Sequence, residues 1–97
     1  MEFANFKKSL ARDELPPGLS LPLRALWWDA KGNWDKAHAC AQEDAGAGGA
    51  WVHAYLHRKE GDAGNARYWY GQAKRSAPKD VPLEEEWENI ARTLLGL

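Results

Sequence analysis

Residues 51–73 read Trp51-Val52-His53-Ala54-Tyr55-Leu56-His57-Arg58-Lys59-Glu60-Gly61-Asp62-Ala63-Gly64-Asn65-Ala66-Arg67-Tyr68-Trp69-Tyr70-Gly71-Gln72-Ala73. The run from Trp51 to Glu60 stops at Gly61-Asp62, and a second run from Asn65 to Ser76 stops at Pro78. Glycine and proline break helical runs, so the stretch predicts two helices joined by a short glycine-polar turn.

The same order occurs once more upstream. Placing Gly32 on Gly61, an offset of 29 residues, also aligns Ala25 with Ala54 and Ala37 with Ala66. A helix starting near Pro22, a favourable first-turn proline, runs through Leu23, Leu26 and Trp27 to Lys31 and stops at Gly32-Asn33. An alanine-rich helix follows over Asp35–Glu43, and Ala45-Gly46-Ala47-Gly48-Gly49 reads as a flexible connector. Such helix pairs cannot bury their apolar faces singly and must stack on neighbours.

Outside the repeat, residues 2–12 predict a short amphipathic helix with Phe3, Phe6 and Leu10 at helical spacing, ended by Leu15-Pro16-Pro17-Gly18-Leu19. A last helix starts near Pro82 and carries Leu83, Trp87, Ile90, Ala91 and Leu94 on one face. Its Glu84-Glu85-Glu86 opening complements the positive end of the helix dipole. Valine and isoleucine are scarce and nothing alternates with period two, so the fold class is all-α. The expected layout is one domain over residues 1–97, with helix pairs at about 21–44 and 50–77 and a capping helix at about 82–96.

The second unit resembles a tetratricopeptide repeat. Gly61-Asp62, Ala66, Tyr70, Ala73 and Pro78 fall at that family's spacing, and small Ala54 fits where the two helices cross closely. In the first unit Ala25, Trp28, Gly32 and Ala37 fit, whereas Ala41 stands where an aromatic is expected and no proline closes the repeat. Residues 20–97 also resemble a group of small bacterial proteins of this type. The resemblance implies a short right-handed superhelix of antiparallel helix pairs, capped at both ends, that binds a protein or peptide on its concave face. It implies no activity and no cofactor.

Composition limits the alternatives. The chain has 97 residues, 44% hydrophobic and 28% charged, the mix of a soluble globular domain. A formal net charge of -1 argues against general attraction to nucleic acid or an anionic membrane. No stretch approaches the roughly 20 apolar residues that span a bilayer. The first eight residues lack the pattern of a secretory signal, so a cytoplasmic address is expected. Cys40 is the single cysteine, which excludes an internal disulfide, and it reads as a small buried apolar residue.

Six tryptophans are a surplus for this length. Large aromatics give a thin helical stack more core, which is the packing role expected of Trp69 and Trp87. Trp27 and Trp28 are adjacent and point about 100° apart around a helix, so one of them needs a second contact, either the N-terminal helix or a partner chain. That makes Trp28 a candidate partner residue, and a homodimer a possible assembly. Trp34 is expected to fold over the Gly32-Asn33 turn. Trp51, Tyr55 and Arg58, at spacing i, i+4, i+7, form an aromatic-cationic stripe suited to a peptide or carboxylate.

His53 and His57 lie four apart and share a helix face, which can present two imidazoles to one transition metal. Ala54 stands where the zinc-protease motif needs glutamate, so that activity is excluded. Two histidines are too few for a metal site, and His38, Cys40, Glu43, Asp44 or Glu60 would have to complete it. The other reading of the pair is packing against the neighbouring helix with hydrogen bonds there. No complete set of acid, base and nucleophile is visible, so no catalytic residue is assigned. A small metal-binding or hydrolytic protein centred on His53 and His57 is the alternative to a binding module.

Overall fold

The turns explain the architecture. In the computed structural model, which describes residues 1–96, helices α2 (Leu21–Ala30) and α3 (Trp34–Glu43) are joined at Gly32-Asn33, and α4 (Ala47–Lys59) and α5 (Ala63–Ala73) at Gly61-Asp62. The two junctions are built alike. Asn33 N–H donates to the Trp28 carbonyl and Asp62 N–H to the His57 carbonyl, each at 2.9 Å. Gly32 and Gly61 take φ of 82° and 89°, a region that L side chains resist. The following side chain then caps the next helix: Asn33 Oδ1 accepts from Lys36 N–H, and Asp62 Oδ1 from Asn65 N–H, each at 3.1 Å. Every one of these bonds recurs 29 residues later, so the repeat read from small residues is a repeat of turn geometry.

Two more helices complete an all-helical compact globule: α1 (Phe3–Ser9) and α6 (Leu83–Leu94). Among the described residues there are six helices and no strand. No helix there is long and apolar enough to cross a membrane. Consecutive helices α2 to α5 pack in order, α2 also meets α4, and α6 lies against α2 and α4. The four repeat alanines sit where backbones approach: Ala25, Ala37 and Ala54 are fully buried and Ala66 nearly so.

The tryptophans bind the elements together through their N–H groups as well as their rings. Trp27 is fully buried, and its Nε1 donates to Ser9 Oγ on α1 at 3.1 Å. The second contact required by the Trp27-Trp28 pair is therefore the N-terminal helix, and Trp28 is left half-buried with Lys36 Nζ 4.3 Å above its ring. Trp87 donates to the Leu26 carbonyl at 3.0 Å and stacks on Phe6 with centroids 5.8 Å apart. One indole thus holds both α1 and α6 against α2.

The segment 45–49 differs from the connector expected of it. Ala47, Gly48 and Gly49 already belong to α4. Asp44 Oδ2 accepts from Gly49 N–H at 2.7 Å, which supplies a partner for a first-turn donor. A β-carbon at Gly49 would lie 2.5 Å from Asp44 Cβ and 2.9 Å from the Ala41 carbonyl oxygen. Glycine is required here for close approach to the end of α3, where the composition alone suggested only flexibility.

Candidate functional site

Helix α4 is the most enclosed helix: residues 52 to 57 are all buried. Its side chains leave in three directions, and each meets different chemistry.

Toward α3 and α5 it sends His53 and His57. His53 Nε2 lies 2.9 Å from His38 Nε2 on α3, a hydrogen bond in which one ring donates and the other accepts. His57 Nδ1 lies 2.6 Å from Glu60 Oε1. Flat rings fix the group from outside. Trp69 of α5 stacks on His53 at 4.0 Å and 16°, and Trp34 stacks on His38 at 4.8 Å and 12°. Trp34 is itself held by Nε1 donating to the Leu56 carbonyl at 3.2 Å. One ring nitrogen from each of His38, His53 and His57 falls within 4.8 Å of the others. Of the residues the sequence offered as a third member, His38 converges on the pair and Glu60 reaches it through His57. Cys40, Glu43 and Asp44 are not in the group.

Burial and the neighbouring imidazoles His38 and His57 push the pKa of His53 down to about 4. Burial also lowers that of His38, with His57 adding to it. An unfolded chain binds a proton at His53 near pH 6.5, whereas the folded one resists until about pH 4. Protonation in that window favours the unfolded state, so this contribution to stability is complete above pH 6.5 and declines toward pH 4. Urea unfolding midpoints are accordingly expected to fall between pH 7 and pH 5, and equal midpoints would contradict a neutral buried His53.

The stripe Trp51, Tyr55 and Arg58 shares a helix but not a surface. Trp51 is half-buried beneath the Arg75 guanidinium, 3.7 Å from its ring centroid. Arg58 Nη1 pairs with buried Glu86 at 2.7 Å, and its Nη2 donates to the Val81 carbonyl. Tyr55 is buried, and its hydroxyl donates to Asp29 Oδ2 at 3.1 Å. Burial, then the charge of Asp29 and the hydrogen bond to it, hold the Tyr55 hydroxyl well above its ordinary pKa.

In the third direction lies a cleft of about 550 Å³ between α1, α2, α4 and α6. Asp29 is its buried carboxylate: Oδ1 accepts from Lys59 Nζ at 2.8 Å and Oδ2 from Tyr55. Leu10, Ala30 and Trp87 supply apolar surface, and Lys7, Glu84, Glu85 and Glu88 supply charge. Tyr55 and Trp87 were legible as aromatic positions. Asp29 and Lys59 were missed, although a lone acid inside the apolar run of α2 was a signal for the first.

No family model, curated protein or solved structure matches this chain, and the site is read from its own geometry.

Proposed function

We propose that this chain is a small binding module that receives a basic peptide segment in the cleft between α1, α2, α4 and α6. In this reading α2–α3 and α4–α5 form a short right-handed tetratricopeptide-like superhelix, with α1 and α6 as its caps. The equivalent turns at Gly32 and Gly61 support that arrangement.

The observation that carries the binding reading is the charge of the cleft. Asp29, Glu84, Glu85 and Glu88 face only Lys7 and Lys59 around a cavity of about 550 Å³. That volume lies within the usual range for ligand clefts. Buried Asp29 already holds one ammonium, that of Lys59, whose side chain is 41% exposed. A lysine or arginine side chain from a partner would meet Glu84, Glu85 and Glu88, with its methylenes against Leu10 and Trp87, while Asp29 stays engaged with Lys59 and Tyr55.

The test uses intrinsic tryptophan fluorescence, to which all six indoles contribute and in which Trp87 is the one that lines the cleft. Lysine-rich peptides of about ten residues are expected to change tryptophan fluorescence saturably, and glutamate-rich peptides of equal length are not. Replacing Glu84, Glu85 and Glu88 together by glutamine is expected to weaken binding roughly fivefold to tenfold, as exposed charges contribute modestly. The effect should shrink in high salt. Equal affinity for acidic and basic peptides, or none for either, would dismiss this reading.

A further inference from the structure

We propose that His38, His53 and His57 form a binding site for a divalent transition-metal ion of the zinc class, at the junction of α3 and α4. The site is separate from the cleft and does not depend on the reading given for it.

The first ground is convergence. His53 and His57 share a face of α4, and α3 delivers His38 to the same point, so that one nitrogen of each ring lies within 4.8 Å of the other two. At the His38–His53 contact two Nε2 atoms meet at 2.9 Å, and a single proton separates them. Zinc binds imidazole nitrogen at roughly 2.0–2.1 Å, so ligand nitrogens around it sit roughly 3.3 Å apart. Opening the His38–His53 pair by a few tenths of an ångström, turning both rings toward a common centre, and drawing the His57 nitrogen in from within 4.8 Å would let an ion replace that proton.

The second ground is the outer arrangement. Glu60 Oε1 accepts from His57 Nδ1 at 2.6 Å. A neutral imidazole donating through Nδ1 keeps its lone pair on Nε2, and a carboxylate behind a ligating histidine both orients the ring and raises its basicity. Glu60 is thus a positioning residue for the third nitrogen.

The third ground is an unsatisfied atom. His53 is 4% exposed, and its Nδ1 is buried without a hydrogen-bond partner. A histidine kept for packing alone would leave that nitrogen as a net cost, and an apolar ring would fill the space beneath Trp69 without it. Coordination through Nε2 leaves Nδ1 protonated and still unpartnered, so the ion does not satisfy this atom. Its cost is what a ligand role for Nε2, now hydrogen-bonded to His38, would offset.

The donor set selects the ion. Three imidazoles without thiolate suit zinc, nickel or copper(II), whereas magnesium and calcium require oxygen ligands. Three protein ligands leave one position for water or another small donor. Ala54 provides no base beside it, and Glu60 is engaged with His57. The ion would therefore tie α3 to α4, and through Trp69 to α5.

Isothermal titration of chelator-stripped, full-length protein with zinc chloride tests this. The expected result is one zinc per chain. His38→Gln is expected to weaken binding by at least about 100-fold and Glu60→Gln by roughly 10- to 100-fold. Neither His38 nor Glu60 is fully buried, and circular dichroism checks that both variants fold. In the unmodified protein, one equivalent of zinc should shift the ¹⁵N resonances of all three ring Nε2 atoms. Absence of stoichiometric binding, equal competition by magnesium, or unchanged affinity in His38→Gln would overturn the proposal.

Discussion

Trp27→Ala is expected to lower the unfolding free energy by about 3–5 kcal/mol, the range for removing a large aromatic from a packed interior. Trp27 has no exposed surface, and its Nε1 donates to Ser9 Oγ. That hydroxyl in turn donates to the Phe6 carbonyl at 2.6 Å, so the indole is linked by two hydrogen bonds to the backbone of α1. Its edge also meets Trp28 at 5.0 Å and 90°. Alanine removes the ring, leaves Ser9 Oγ without its donor, and opens a cavity under a helix of only seven residues. In a chain of this length each kcal/mol corresponds to roughly 4–8 °C, so thermal unfolding should move down by about 12 °C or more. Trp27→Phe retains most of the apolar contact and is expected to lose less than half as much. A loss below about 1 kcal/mol for the alanine variant, measured by urea unfolding, would show that α1 is anchored elsewhere.

The parts of the fold legible in the sequence are those set by local chemistry. Gly32 and Gly61 announce their turns because positive φ is a backbone requirement, and Asn33 and Asp62 follow them at the first capping position. The apolar face of α6 was readable for the same reason, as Trp87, Ile90 and Ala91 repeat at helical spacing and are buried. Helical spacing says which side chains share a face, but not which neighbour the face meets. His53 and His57 were visible as a pair, whereas the arrival of His38 depends on how α3 crosses α4. The stripe of Trp51, Tyr55 and Arg58 had correct spacing too. Three different neighbours, Arg75, Asp29 and Glu86, divide it among three environments. Gly49 was misread because composition cannot distinguish a glycine chosen for freedom from one chosen for lack of a β-carbon.

Glu86 exposes a further limit of pattern reading and has the second large expected effect. Its place in Glu84-Glu85-Glu86 suggests a solvated carboxylate answering the helix dipole, yet its side chain is only 6% exposed. Oε1 accepts from Arg58 Nη1 at 2.7 Å and Oε2 from the Tyr70 hydroxyl at 2.6 Å, so one carboxylate joins α4, α5 and α6. Burial and that hydrogen bond raise the Tyr70 pKa, so its hydroxyl stays a donor throughout the physiological range. Glu86→Ala leaves Tyr70 without its acceptor and Arg58, 25% exposed, without its counter-charge. Breaking a buried pair by removing one member costs about 3–5 kcal/mol. Partial exposure of Arg58 allows water to replace some of the loss, which places the expected effect at about 2–4 kcal/mol. Glu86→Gln keeps the volume and one acceptor, and should fall between the alanine variant and the parent. Tyr70→Phe removes one hydrogen bond and should cost about 1–2 kcal/mol. Because both changes act through the same carboxylate, the double variant Glu86→Ala, Tyr70→Phe should lose less than the sum of the single losses. Additive losses in urea unfolding would mean that the two groups act independently, and that Arg58 alone accounts for the burial of Glu86.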